Sequence, residues 1–185
     1  MSETVAYAGA PGAFAEEACR LFLPDCPAVP KPSFAAVAEA VAAGETMLGM
    51  LPGENSIAGP VPGVQSLIDE NDLVVRERRR LPVRLHLLGR PGSSLAQIER
   101  VVSHPMALAQ CGRFLGGTGV QTEEAANTAF AAQALGLSQD PALAVIASEA
   151  AAETYGLVVL KRDVHDRADN FTTFCVVARQ PGERR

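Results

Sequence analysis

Apolar positions along the chain recur with two periods, and short strand-like runs repeatedly give way to helix-like spacing. Val5 to Ala8 reads as a strand, Gly9-Ala10-Pro11-Gly12 breaks it, and Phe14, Ala18, Leu21 and Phe22 then fall on one helical face. Pro27, Pro30 and Pro32 predict a stiff connection, after which Ser33 caps a helix carrying Phe34, Val37, Ala38 and Val41, and Gly44 ends it. Met47 to Leu51 is a short buried strand, Pro52-Gly53-Glu54-Asn55-Ser56 a polar turn, and Val61, Val64, Leu67 and Ile68 the next helical face. Between Leu73 and Leu88 the alternation predicts two strands, with Val83, Leu85 and Leu87 on one face and Arg84 and His86 on the other.

The second half repeats the pattern. Val101-Val102 is a strand edge, Ser103 suits an N-cap, and Ala107, Leu108, Cys111, Phe114 and Leu115 form a helical face that Gly116-Gly117 stops. Asn127 caps a helix through Thr128, Phe130, Ala131 and Leu135, ended by Gly136. Ala144 to Ile146 is a strand, Ser148 caps a further helix and Gly156 terminates it. Val158 to Leu160 and Thr173 to Val177 are the last strands. The recurring order of strand, turn and helix predicts an α/β protein with parallel pairing, in which ligands sit beyond the carboxyl ends of the strands.

Composition narrows the function classes. The 185 residues are 48% hydrophobic, enough for one compact domain or two small lobes sharing a cleft. Sixteen basic against twenty-one acidic residues give a net charge of −5, which repels nucleic acid and anionic membrane. The N-terminus has neither the basic flank nor the apolar stretch of a signal peptide, so the expected compartment is the cytoplasm. Cys19, Cys26, Cys111 and Cys175 fit no metal-ligand spacing, and reduced, mostly core thiols with no metal are expected. The Gly9 to Gly12 turn lacks the third glycine of a dinucleotide fingerprint and the lysine of a phosphate loop, so no cofactor is expected either. Arg76, Arg78, Arg79 and Arg80 form the one dense basic run, read as a solvated edge that discourages aggregation, with anion steering as the lesser alternative.

The polar residues cluster where chemistry is expected. Gly9 to Gly12, Glu54-Asn55-Ser56, Ser103-His104, Asn127-Thr128 and Asn170 to Thr172 all adjoin predicted strands, and the first four are expected to open helices. Helix N-termini with capping hydroxyls hold anions without many cations, so several converging on one cleft would suit a small polyanion. Asp169-Asn170-Phe171-Thr172-Thr173-Phe174, set directly before an apolar strand, is the densest of these stretches.

With these motifs in order, the chain resembles the catalytic domain of the prephenate dehydratase family, including arogenate dehydratase. Val5 to Phe14 is similar to the family's opening motif, and Glu54-Asn55-Ser56 with Gly59 and Val61 to its E-N-S-x-x-G-x-V signature. Ser103-His104-Pro105-Met106-Ala107-Leu108-Ala109-Gln110-Cys111 departs from the family stretch at Met106. Asn170-Phe171-Thr172-Thr173-Phe174 resembles N-x-T-R-F, with Thr173 where the family carries arginine, and Ala13 stands where many members carry a hydroxyl.

The resemblance implies a two-lobed α/β fold of the type II periplasmic-binding-protein kind with the active site between the lobes. Lobe one is expected to span 1–75 and 161–185, and lobe two 76–160. It implies a cofactor-free conversion of prephenate to phenylpyruvate in phenylalanine biosynthesis, with Thr172 as the catalytic group. Asn55, Ser56, Ser103, Thr128 and Asn170 are implied to position the substrate, joined by Glu54, His104, Gln110 and Phe174. Alternatives are arogenate as substrate, a prephenate decarboxylase that keeps the hydroxyl, and a ligand-binding domain without catalysis. A homodimer is expected. Eleven residues follow Phe174, too few for the ACT domain of regulated relatives, and the last of them, Gln180 to Arg185, are expected to fray.

Overall fold

A computed structural model describes residues 3–180. The expected frayed tail, apart from Gln180, lies outside the described residues. In chain order the elements are β1 (Val5–Ala8), α1 (Phe14–Phe22), β2 (Ala28–Lys31), α2 (Phe34–Ala43), β3 (Leu48–Asn55), β4 (Gly59–Pro60), α3 (Val64–Glu70), β5 (Leu73–Pro82) and β6 (His86–Gly89). A 3₁₀ turn at Leu95–Gln97 leads to β7 (Arg100–Ser103), α4 (Pro105–Gln110), α5 (Gly112–Gly116), β8 (Gln121–Glu124), α6 (Thr128–Leu137), β9 (Leu143–Ala147), α7 (Glu149–Tyr155), β10 (Val158–Lys161) and β11 (Phe171–Arg179).

The chain divides into two compact units, one made of 1–9, 14–82 and 169–185 and the other of 10–13 and 83–168. Divisions expected after residues 75 and 160 would cut through β5 and β10, whose hydrogen-bonded ladders each belong to a single sheet. The first unit's sheet has the order β2-β1-β3-β11-β5, with β4 folded back on β3. The second has the order β10-β6-β9-β7-β8. Both carry one topology: a parallel triplet in which the earliest strand is central, then an antiparallel strand, then an edge strand antiparallel to that. That is the type II periplasmic-binding-protein arrangement, with antiparallel strands added to the expected parallel pairing. The parallel strands are joined by crossover helices, which fix direction and hand, whereas β6 and β11 are reached without one.

Right-handed crossovers in opposite directions put α1 and α2 on opposite faces of the first sheet. Val37, Ala38, Ala40 and Val41 of α2 pack with Val64 and Ile68 of α3 against Ala6, Leu51, Cys175 and Val177. In the second unit Ala131, Ala132 and Leu135 of α6 and Ala151 and Ala152 of α7 pack on Leu88, Val145 and Ala147. So many small residues bring helix close to sheet.

Several local expectations change in the structure. Pro27 and Pro32 bracket a real strand, β2, and Pro30 lies within it, tolerated because β2 is at the sheet edge where a missing N–H costs little. Pro52 to Asn55 continue β3 instead of turning, and Leu21 is exposed while Ala15, Ala18 and Cys19 carry the buried face of α1. The helix expected from Pro105 to Leu115 is broken at Cys111 into α4 and α5. Gly136 lies inside α6, where an added Cβ would meet the Tyr155 carbonyl oxygen at 3.2 Å. All four residues of β8 are exposed, so no apolar alternation announces that strand.

Gly49 sets the distance between α2 and β3. A Cβ there would meet Val41 Cγ2 at 2.9 Å and Val37 Cγ1 and Val177 Cγ2 at 3.0 Å, all buried. Gly49→Ala is therefore expected to lower unfolding free energy by about 1–3 kcal/mol, read as a fall in the denaturation midpoint. A neutral substitution would show that α2 withdraws without cost.

Candidate active site

Asn55, the last residue of β3, is bonded at both ends of its side-chain amide. Its Oδ1 accepts from the backbone N–H groups of Ile57 and Ala58, each at 3.0 Å, which closes the turn after β3. Two N–H donors at one atom fix the amide's orientation, so Nδ2 faces the far strand. It donates toward Asn170 Oδ1 at 3.0 Å, the Phe171 carbonyl at 3.1 Å and Thr172 Oγ1 at 3.2 Å. Ser56 adds a second clasp: Oγ donates to the Asp169 carbonyl at 2.9 Å and accepts from Phe171 N at 3.0 Å, while its own N–H donates to Phe171 O. The stretch 169–172 is thereby sewn to the end of β3. Asn55 and Ser56, expected to bind substrate, have side chains committed to holding this loop.

Thr172 pairs with Asn55 across one ladder and with Leu81 across the other, so these three share a face of the sheet. Asn170 and Thr172 are buried. Among the described residues the Thr172 hydroxyl has one side-chain partner, Asn55, which donates to it. The hydroxyl hydrogen is therefore left to be given elsewhere. Thr173 shares the opposite face with Glu54 and Arg80, and Phe174, after a register shift in the β3–β11 ladder, is buried at 3% exposure. Arg80, a member of the basic run read as a solvated edge, and Phe171, the unspecified position of the motif, come into contact. The Arg80 guanidinium carbon stands 4.8 Å from the Phe171 ring centroid, and only the strand register brings them together.

In the second unit the polar residues gather at the carboxyl ends of β7, β8 and β9. Ser103 is fully buried, and its Oγ donates to the Ile146 carbonyl at 2.6 Å, so it ties β7 to β9. That corrects its expected role as N-cap. His104 is the cap instead, its Nδ1 accepting from Met106 N. Asn127 caps α6 as expected, accepting from Phe130 N at 2.8 Å, and leaves Thr128 half-buried in the first turn. Gln110 is half-buried, and its carbonyl accepts from Asp166 N. Ser148 caps α7 and donates to the Gly12 carbonyl at 2.7 Å, and the Tyr155 hydroxyl donates to the Pro11 carbonyl. Gly12, at φ 85°, lies so close to α7 that a Cβ would fall 2.6 Å from the Ala151 Cα. Of the clusters expected to open helices, Glu54-Asn55-Ser56 does not: it ends a strand.

Burial sets the titration of the remaining groups. It raises the Cys19 and Cys111 thiols to about 12, and raises Cys175 against the opposing pull of Arg78, whose Nη1 donates to Sγ at 3.3 Å. These thiols are inert core groups at neutral pH. His86, expected on a polar face, is buried and holds its Nδ1 against the Asp163 N–H at 3.0 Å. Burial lowers its pKa, with Asp163 and Glu149 opposing. Among the described residues no group of three or more His, Cys, Asp or Glu is placed to hold a metal ion, and no helix is long and apolar enough to cross a membrane.

The prephenate dehydratase family model matches residues 5–182, and the chain belongs to that family. Arogenate dehydratase/prephenate dehydratase 2 of Arabidopsis thaliana, a chloroplastic protein, is 37% identical over 177 residues, covering 96% of this chain and 46% of its own length. A bifunctional N-acyl-homoserine lactone acylase/prephenate dehydratase of Komagataeibacter europaeus is 37% identical over 180 residues, covering 96% of this chain and 63% of the relative. The solved prephenate dehydratase of Arthrobacter aurescens in complex with L-Phe superposes with a TM-score of 0.85 at 30% identity, over 97% of this chain and 60% of that one. The chain thus spans from about half to under two thirds of the length of these relatives.

Asn55→Ala would strand the Ile57 and Ala58 N–H groups and release the 169–172 loop. A loss of about 1–3 kcal/mol is expected, with faster amide exchange confined to 56–58 and 170–172. Exchange unchanged there would show that Ser56 holds the loop alone. His86 yields a pH dependence. The folded state keeps it neutral, while the unfolded chain takes up its proton near the ordinary value of 6.5. Its contribution is therefore complete above pH 6.5 and lost as pH falls below it, by at most about 1.4 kcal/mol per pH unit. Thermal melts between pH 7 and 5 should fall more steeply for the wild type than for His86→Asn. Equal slopes would assign the acid sensitivity to other groups.

Proposed function

We propose that this domain is a prephenate dehydratase, which removes carbon dioxide and the ring hydroxyl from prephenate to give phenylpyruvate on the route to phenylalanine. The observation that carries the reading is the disposition of Thr172, whose oxygen accepts from Asn55 and whose hydrogen is uncommitted. As the bond to the ring carboxylate breaks, its electron pair completes the aromatic ring and expels the C4 hydroxyl. Thr172 gives that departing oxygen a proton or a strengthening hydrogen bond, so that it leaves as water. Negative charge then grows on Thr172 Oγ1, where the Asn55 amide already donates. A free threonine hydroxyl is a feeble acid; a preset donor to its oxygen is what makes the role workable. Asn170 accepts from the same Asn55 amide and helps to fix its direction.

Arogenate differs from prephenate only in carrying an amino group in place of the side-chain keto oxygen, and the names of the relatives cover both. Prephenate is the substrate proposed here. A cytoplasmic location and a homodimer belong to the same proposal and rest on the family alone. Retention of a donor hydroxyl at Thr172 favours dehydration over a decarboxylation that keeps the ring hydroxyl, because only the former needs a proton at that oxygen.

The test is incubation of the purified protein with prephenate and with arogenate, following aromatic product by absorbance. Thr172→Ala is expected to lower kcat by at least about a hundredfold with KM nearly unchanged, and Thr172→Ser to recover much of the loss. Near-normal turnover in the alanine variant would sink the assignment, and a non-aromatic product would replace dehydratase with decarboxylase.

A further inference from the structure

Between β10 and β11 the chain leaves the second sheet as a strap, 162–168, and two histidines hold its first half. The ladder of β10 on β6 ends at Lys161 opposite Leu87, and Asp163 then takes a left-handed backbone at φ 49°. Beyond that point imidazole nitrogens accept where strand carbonyls accepted before. The Asp163 N–H donates to His86 Nδ1 at 3.0 Å, and the Leu85 N–H donates to His165 Nδ1 at 3.3 Å. Between them the Val164 N–H donates to the Leu85 carbonyl at 2.9 Å. The two rings are reciprocal, each segment supplying one imidazole and one N–H. A ring nitrogen that accepts carries no proton, so the arrangement requires both imidazoles to keep their hydrogen on Nε2. A proton added at Nδ1 sets donor against donor, and the bond is lost.

The surroundings of the rings do not hold them charged. Burial is the main influence on His86 and lowers its pKa; Asp163 and Glu149 oppose this, while Arg162 and His165 add to it. Arg162 is held by both Glu149 oxygens, and Arg84 stands 3.8 Å from Asp163. From β9, Ala147 pairs with His86 and brings no charge. Asp166 and Arg167 flank His165 on the strap, and the Asp166 carboxylate accepts from Arg113 N at 3.1 and 3.2 Å. With Asp166 N donating to the Gln110 carbonyl at 2.7 Å, that anchor holds the second half of the strap without an imidazole.

We propose that His86 and His165 form a proton-released latch. With both Nδ1 atoms unprotonated the rings hold 163–165 against 84–86; when both take up a proton, the first half of the strap opens while the sheets stay folded. This goes beyond the dehydratase reading and does not depend on it. It also differs from the burial of one histidine, because opening takes up two protons where His86 alone would take up one. Opening coupled to one proton steepens by at most about tenfold per pH unit, and opening coupled to two by at most about a hundredfold.

The experiment is amide hydrogen exchange of the whole chain, read residue by residue by NMR between about pH 7 and 5 as protection relative to free peptide at the same pH. The wild type is compared with His86→Asn, His165→Asn and the double variant, since asparagine sets an amide oxygen near the place of Nδ1 and takes up no proton. In the wild type, protection at Leu85, Asp163 and Val164 is expected to fall at least about tenfold over this range, with Arg113 and Val145 changing less than about threefold. Each single variant should show a shallower fall and the double variant none. A fall shared by all amides of the unit would mean general unfolding and end the inference. So would a fall that survives in the double variant, or one that His165→Asn leaves as steep as in the wild type. Should the double variant not fold, the ring nitrogen shifts of the wild type at neutral pH decide. Hydrogen on Nε2 of both rings, together with the local fall, supports the latch, and hydrogen on Nδ1 of either ring overturns it.

Discussion

The bonds of the Asn55 side chain hold together the part of the first unit on which the candidate chemistry depends. β3 and β11 are far apart in sequence and run antiparallel, so their ladder alone leaves the ends free to fray where β3 stops and β11 begins. One amide prevents this: its oxygen closes the turn after β3, and its nitrogen reaches the first residues of β11. Because the oxygen is held by two backbone donors, the nitrogen has a single direction. A flexible glutamine would not have it, and an aspartate would set an acceptor against the Phe171 carbonyl.

Part of the fold was legible because three helices, α2, α6 and α7, announce themselves through caps. Ser33, Asn127 and Ser148 are the N-caps in the structure, and Gly44 and Gly156 the left-handed C-caps, as their spacing predicts. What escaped the sequence was set by pairing. Gln121 to Glu124 is polar on every side and is a strand only because it joins the edge of β7. Leu21 and Ala15 exchange their expected burial because α1 presents its small residues to the sheet, a choice that depends on how closely the helix approaches. The direction of β6 and β11 could not be read either, since hydrophobic alternation is the same in parallel and antiparallel strands.

The candidate site divides along the same line. Motif residues fall at strand ends as their order predicts, but which atoms face a ligand depends on partners three or more elements away. Ser103 Oγ donates to the Ile146 carbonyl at 2.6 Å. Ser56 and Asn55 clasp the start of β11 through bonds to its backbone and, for Asn55, to the Asn170 and Thr172 side chains as well. Thr172 is the opposite case. In sequence it is one of two adjacent threonines before an apolar run, and the structure separates them by face, Thr172 with Asn55 and Thr173 with Glu54 and Arg80.

This separation bears on how a chain of net charge −5 would bind an anion. At physiological salt a charge is felt over about 8 Å, so the overall balance matters less than what lies within one side chain of the ligand. Near Thr172 the first unit supplies neutral dipoles, the Asn55 amide first among them. Dipoles that are already bonded lose little on reorganising, so they stabilise growing negative charge without a net charge of their own.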